Sequence, residues 1–152
     1  MWRRVRYVLA LVALCAIATC PAAKRACTSK IRAREAEELI GVIADKVEQH
    51  VAVTGRVPGT AAPLTPQLAC CEQGGQCQPD PATWAAPGWK ELEFSIDDPY
   101  RYAYEYTPDP NGQSATVRAT GNLDCDSAVS TYELRLTVKG TALDRAWIRR
   151  DP

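Results

Sequence analysis

The segment NLDCDSAVSTYE, residues 122–133, places oxygen-bearing side chains at a spacing that suits a single calcium ion. Calcium binds roughly six to eight oxygen atoms, and a chain loop can wrap around it with ligands at alternate positions. The corresponding ligands are Asn122, Asp124, Asp126, the backbone carbonyl of Ala128, Ser130 and Glu133. Because Ser127 replaces the glycine that makes the sharp turn in such loops, we expect weak binding. The alternative is an Asx-rich turn between two strands, with Cys125 available for a disulfide.

Four cysteines follow the predicted helix and are candidates for disulfide bonds: Cys70, Cys71, Cys77 and Cys125. Seven cysteines in 152 residues indicate an oxidising compartment, where disulfides form. A bridge between the neighbours Cys70 and Cys71 is strained, so we expect one of them to pair with Cys77 and the other with Cys125. A zinc site is the alternative, but the spacing lacks paired C-x-x-C units.

The sequence contains no serine elbow, phosphate-binding loop or zinc-protease helix, so we expect a protein that is not an enzyme. His50 is the single histidine, and the dipole at the carboxyl end of a predicted helix accounts for it. Asp97 and Asp98 are adjacent in the chain, so their side chains point apart. Since the net charge is zero and no basic face is concentrated, nucleic acid is not an expected partner.

The amino-terminal segment permits two interpretations. Arg3, Arg4 and Arg6 precede an uncharged apolar run at 8–18, which is the layout of a signal peptide with cleavage after Ala18. If the segment is instead retained, the 17 residues 7–23 reach the short limit for crossing a bilayer. The basic residues before them favour a cytoplasmic start. Retention therefore predicts an inner-membrane anchor, with the rest of the chain in the periplasm or outside the cell.

An amphipathic helix is predicted to continue the apolar run. Its apolar stripe, at steps of three and four residues, consists of Ala36, Ile40, Ile43, Val47 and Val51. Gly55 and Pro58 give the stop signal, and Pro21 is expected to kink the helix rather than end it. The predicted domains are an apolar signal or anchor helix at 1–28, its amphipathic continuation at 29–54 and a globular domain at 55–152.

The globular domain is predicted to begin with a cysteine-rich loop at 55–90 and to continue as an antiparallel sheet over 90–139. Four segments have strand-like alternation: KELEFSI at 90–96, PYRYAYEYT at 99–107, SATVRAT at 114–120 and STYELRLTVKG at 130–140. Residues 140–152 are predicted as a short tail. The tyrosines at alternate positions are either a ligand platform or a half-buried strand face. The predicted fold is α+β, a long N-terminal helix packed on a four-stranded antiparallel sheet, with a disulfide-stapled connecting loop.

The segment AIATCPAAKRACTSK and this order of elements resemble bacterial type IV pilins and pseudopilins. In that family an apolar helix carries a proline before its amphipathic half, and Pro21 matches that position. The segment FSIDDPYRYAYEY is similar to the globular domains of pilin-like proteins. The chain departs from the family at its start, because it has no Gly-Phe junction for prepilin peptidase. Arg4 also lies near the position of the family's glutamate.

The resemblance implies a structural subunit that is anchored in the inner membrane. Its partners would be other pilin-like subunits, contacted through the N-terminal helix in a type IV pilus or a type II secretion apparatus. The alternative function is a small secreted or periplasmic disulfide-bonded binding domain, stabilised by calcium and released after Ala18.

Overall fold

The computed structural model describes residues 21–126 and 128–151, and it describes side chains for residues 34–126 and 128–149. The chain divides into two compact units, Met1–Ile31 and Arg32–Pro152, of which the second contains the sheet. The apolar run at 8–18 and the cleavage site after Ala18 lie outside the described residues. Pro21 is the first described residue, so the predicted kink lies at their edge.

Helix α1 spans Pro21–Thr54, and its apolar stripe is buried. The fully buried members are Ala36, Ile40, Ile43, Ala44, Val47 and Val51. The helix ends where Gly55 adopts a φ of +71°, a left-handed conformation that glycine tolerates without strain. The Gly55 amide still donates to the Val51 carbonyl at 2.8 Å. Within residues 21–126 and 128–151, no helix combines the length and apolar character needed to cross a bilayer.

One five-stranded antiparallel sheet follows, with its strands side by side in chain order. The strands are β1 (Ala62–Thr65), β2 (Ala103–Pro108), β3 (Ser114–Gly121), β4 (Ser130–Lys139) and β5 (Ala142–Asp151). The register places Tyr104 opposite Ala119, which in turn lies opposite Tyr132. These residues share one buried face, which forms a single core with the stripe of α1.

The predicted fold, a long N-terminal helix on a four-stranded sheet, is wrong. The sheet has five strands, and the helix that packs on it is the segment from residue 34 to 54. Strands β1 and β5 were not expected, and β5 occupies most of the predicted tail. β5 forms because Gly140, at a φ of +68°, allows a tight hairpin after β4.

The predicted first strand, KELEFSI, is also wrong. Its start belongs to a short helix, α2 (Pro87–Glu91), with a proline in its first turn, where the missing N–H costs nothing. Glu93 then adopts a φ of 49°, which interrupts an extended chain. Leu92, Phe94 and Ile96 are nevertheless buried, so the alternation reflects packing of an irregular segment on the core.

An aromatic cluster fills the space between α2, β1 and β2. The Trp84 ring lies 5.3 Å from both Trp89 and Phe94, edge-on in each case. The Trp89 indole Nε1 donates to Thr65 Oγ1 at 2.8 Å, so the one polar atom of this buried ring is satisfied. The cluster thereby holds α2 against β1.

Candidate functional site

Two disulfides tie the cysteine-rich loop together and join it to the loop after β3. Cys70 pairs with Cys77, with Cα atoms 4.7 Å apart, and Cys71 pairs with Cys125 at 5.5 Å. The prediction of disulfide bonds is therefore confirmed. The structure also assigns the partner of each neighbour, which the spacing had left open. The second bridge holds residues 122–126 beside residues 64–71.

The oxygen-rich loop after β3 is held by local hydrogen bonds. Asp126 Oδ1 accepts from the Ala128 amide at 2.6 Å, which is an Asx turn. Asn122 Nδ2 donates to the Asp126 carbonyl oxygen at 2.5 Å. Asp124 is exposed. Three of the six predicted calcium ligands, Asn122, Asp126 and Ala128, are thus brought together.

The other two predicted side-chain ligands lie in a strand. Ser130 begins β4 opposite Gly121, and Glu133 lies further along β4. The Glu133 carboxylate faces Arg118, with Oε2 3.4 Å from Nε, and Arg118 also contacts Glu105 at 2.7 Å. Within the described part of the chain, no three His, Cys, Asp or Glu side chains are grouped to hold a metal ion. Calcium binding at residues 122–133 stays a prediction.

The loops that the second disulfide joins form the walls of a groove, here called the Leu64–Val129 groove. Its cavity volume is about 130 Å³, and its lining is mostly apolar. The lining includes Leu64, Pro66, Ala103, Thr120, Asn122 and Val129. Leu64 and Val129 keep 37% and 57% of their surface exposed, and the adjacent Leu68 keeps 52%. Large apolar side chains grouped at a concave surface make this groove a candidate contact surface, although its volume is below that of a typical small-molecule pocket.

One side-chain atom of Asn122, a residue that lines the groove, lacks a hydrogen-bond partner among the described residues. Asn122 Oδ1 is buried and accepts no hydrogen bond from the described residues. A buried acceptor without a donor is costly, so the burial of this oxygen opposes folding of the loop rather than marking a contact for a ligand. The groove itself therefore offers mostly apolar walls.

An ion pair anchors the floor of the groove to helix α1. The Glu35 carboxylate accepts from the Arg101 backbone amide at 2.5 Å and from its Nη1 at 3.0 Å. Both side chains are largely shielded, with 31% exposure for Arg101 and 18% for Glu35. Because Arg101 lines the groove, the position of this floor is coupled to the helix.

The alternate tyrosines do not form a ligand platform. Tyr100, Tyr102, Tyr104 and Tyr106 are each at most 2% exposed and face the core. Burial raises the pKa of the Tyr102, Tyr104 and Tyr106 hydroxyls above its ordinary value. These residues therefore stabilise the sheet and are neutral near physiological pH.

Sequence reasoning did not identify the Leu64–Val129 groove. Leu64 and Leu68 stand in the proline-rich connector, and Val129 stands in the loop considered for calcium. The one signal for their proximity was the expected bridge from Cys125 to Cys70 or Cys71.

No family model matches the chain, and neither a curated protein nor a solved structure is significantly similar to it. The resemblance to pilins therefore rests on the sequence alone.

Proposed function

We propose that the chain is an exported structural subunit that its N-terminal segment tethers to a membrane. In this function it associates with similar chains, as pilin-like subunits do in a type IV pilus or a type II secretion apparatus. The observation that carries the proposal is the role of α1. Residues 36–51 of this helix supply one side of the core, and the apolar run at 8–18 stands just before the helix in the sequence.

The disulfides support export. Two bridges link three segments of one small domain, and such bridges persist in the periplasm or outside the cell rather than in a reducing cytosol. The groove is consistent with association, because burial of its exposed apolar side chains, Leu64 and Val129, against another chain would be favourable.

A second function, a secreted binding domain released after Ala18, has one observation in its favour. Five basic residues come soon after the apolar run: Lys24, Arg25, Lys30, Arg32 and Arg34. Basic residues on that side of a retained anchor oppose export of the domain that they precede. Cleavage after Ala18 would remove this conflict.

The intact mass of the mature protein distinguishes the two functions. We expect a mass that includes residues 1–18, recovered from the membrane fraction and resistant to a high-salt wash. A soluble protein that begins at Thr19 would refute the tethered subunit and support the secreted domain.

The variant Ala18→Phe is the matched control, because a bulky residue destroys the small-x-small cleavage pattern. If the segment is retained, this variant has the mass and fractionation of the unaltered chain, apart from the added side-chain mass. If the segment is cleaved, the variant alone keeps residues 1–18.

A further inference from the structure

The two disulfides of the domain differ in how far solvent reaches them. Cys70 and Cys77 are 5% and 1% exposed and belong to the hydrophobic core. Gln73 Nε2 also donates to Cys77 Sγ at 3.2 Å, which places a further polar group against that sulfur. Cys71 is partly exposed, and Cys125 is exposed in the loop after β3. Because thiol–disulfide exchange requires access of a thiolate to a sulfur atom, the Cys71–Cys125 bridge is the one of these two that is open to it in the folded domain.

The backbone at Cys125 adopts a strained conformation. Its φ is +62°, in the left-handed region that a residue with a Cβ enters at an energetic cost. The bridge to Cys71 holds this residue, since it ties the Cys125 side chain to the cysteine-rich loop. Opening the bridge lets the backbone relax, and relief of this strain favours the reduced form.

The charges beside the bridge favour attack at one of its two sulfur atoms. Asp124 and Asp126 flank Cys125, and Glu72 follows Cys71. All three carboxylates belong to exposed residues. Attack on Cys71 would expel Cys125 as a thiolate between two carboxylates, whose negative charge opposes it. Attack on Cys125 expels Cys71 beside a single carboxylate, and it also meets the more exposed cysteine.

We propose that the Cys71–Cys125 bridge is a redox-sensitive latch, which a reduced dithiol protein of the exported compartment opens. A thiolate of that protein attacks Cys125 Sγ and forms a mixed disulfide. The bond to Cys71 breaks, and Cys71 leaves as a thiolate that takes up a proton. The second thiol of the dithiol protein loses its proton and attacks the mixed disulfide, which releases Cys125 as a thiol. The dithiol protein ends with its own disulfide, so two electrons and two protons pass from it to this chain.

Opening the latch separates two loops and leaves the core bridged. Cys71 belongs to the cysteine-rich loop and Cys125 to the loop after β3, so the latch is a covalent link between the walls of the Leu64–Val129 groove. The Cys70–Cys77 bridge stays closed and keeps its loop on the core. The latch does not depend on the membrane tether, because both functions considered above place the domain in an exported compartment.

Selective reduction of the full chain tests this latch. Thiols that are already free are first blocked with N-ethylmaleimide. Reduced thioredoxin, a dithiol protein, is then added, and the new thiols are alkylated with iodoacetamide at intervals and mapped by mass spectrometry. We expect alkylation of Cys71 and Cys125 to be at least about tenfold faster than that of the other bridged pair, which becomes accessible only when the core opens.

Trapping identifies the sulfur that is attacked. A thioredoxin variant that lacks its second cysteine stops at the mixed disulfide, which should map to Cys125. In the double variant Asp124→Asn with Asp126→Asn, part of this adduct should shift to Cys71, because the carboxylates no longer oppose a Cys125 thiolate. Asparagine at position 126 keeps a side-chain oxygen that can accept from the Ala128 amide, so the turn is preserved.

The double variant Asp109→Asn with Asp144→Asn is the matched control. Both residues are exposed acids, and they lie near the opposite ends of strands β3 and β4 from the loop that contains Cys125. This variant should leave the adduct on Cys125. An adduct that stays wholly on Cys125 in the Asp124 and Asp126 variant would overturn the role given to those two carboxylates.

Three results would overturn the latch itself. They are alkylation of all four bridged cysteines at one rate, resistance of both bridges to thioredoxin, and a trapped adduct on a cysteine other than Cys125 in the unaltered chain. None of these results changes the mass or the fractionation of the mature protein, on which the tethered subunit is decided independently.

Discussion

Replacing Tyr104 and Tyr106 by phenylalanine should change the stability of the protein in opposite directions. Both rings lie in β2 on the core face, and both are fully buried. The Tyr106 hydroxyl donates to the Pro58 carbonyl oxygen at 2.8 Å. The Tyr104 hydroxyl has no hydrogen-bond partner among the described residues. The two substitutions remove the same atom from the same strand, so the hydrogen bond is the main difference between them.

The magnitudes depend on the groups that each substitution leaves behind. Tyr106→Phe removes a hydrogen bond and leaves a buried carbonyl unsatisfied, which lowers the free energy of unfolding by about 1–3 kcal/mol. Tyr104→Phe removes a buried hydroxyl that gains nothing in the folded state, which raises the free energy of unfolding by about 1 kcal/mol. Because phenylalanine keeps the ring, contacts with Trp84 and Phe94 are retained in the second variant. The two variants should therefore differ by at least ~2 kcal/mol.

Urea unfolding at neutral pH, monitored by tryptophan fluorescence with the disulfides intact, measures this difference. Trp84 and Trp89 are buried in the core and report its loss. The slope of the unfolding free energy against urea should match in both variants, since neither changes the surface exposed on unfolding. A Tyr104→Phe variant that is less stable than the unaltered protein by ~1 kcal/mol or more would refute the reasoning, because it would mean that the hydroxyl is hydrogen-bonded.

Three further predictions concern alkaline pH, a close backbone contact and acid pH. Burial raises the pKa of Tyr102, Tyr104 and Tyr106 above that of the unfolded chain, so stability is present below pH 10 and lost above it. The loss is on the order of 1 kcal/mol per tyrosine at pH 11, measured by urea unfolding against pH. Gly88→Ala should destabilise by about 2 kcal/mol, because the new Cβ would lie 2.3 Å from the Ala61 carbonyl oxygen. Gly41→Ala, with nothing within 4 Å, is the control, which should gain about 0.5–1 kcal/mol. The Leu143 amide and a nearby guanidinium lower the pKa of Glu48, so its stabilisation is present above pH 4.5 and lost as the pH falls below that value. Glu48→Gln should therefore show a smaller loss of stability on acidification, and an unchanged pH dependence would contradict this role.

The parts of the fold that the sequence predicts are those with one buried and one exposed face. The stripe of α1 and the alternation of β2, β3 and β4 each repeat at the period of their element. Strand β5 lacks this signal because Arg145 lies on the face toward the helix, where it contacts Asp45 at 2.8 Å and also pairs with Glu48. A charged residue on a core-facing position breaks the apolar alternation. The carboxylates that pair with Arg145 belong to helix α1, about a hundred residues earlier in the chain, and no local sequence pattern reveals that contact.

Strand β1 and the KELEFSI segment were missed for opposite reasons. β1 has only four residues and includes Pro63, so its pattern is too short to recognise. Residues 90–96 have the alternation of a strand, but the chain turns at Glu93. Their apolar side chains are buried in the same core as Trp84 and Trp89. Alternation records which side chains are buried. It indicates a strand only where a neighbouring strand is available for pairing.

The groove depends on a contact between residues far apart in the chain, Leu64 and Val129. Only the disulfide prediction carried information about it, because pairing Cys125 with Cys70 or Cys71 already requires the two loops to meet. The oxygen-rich loop that suggested calcium thereby becomes one wall of an apolar site.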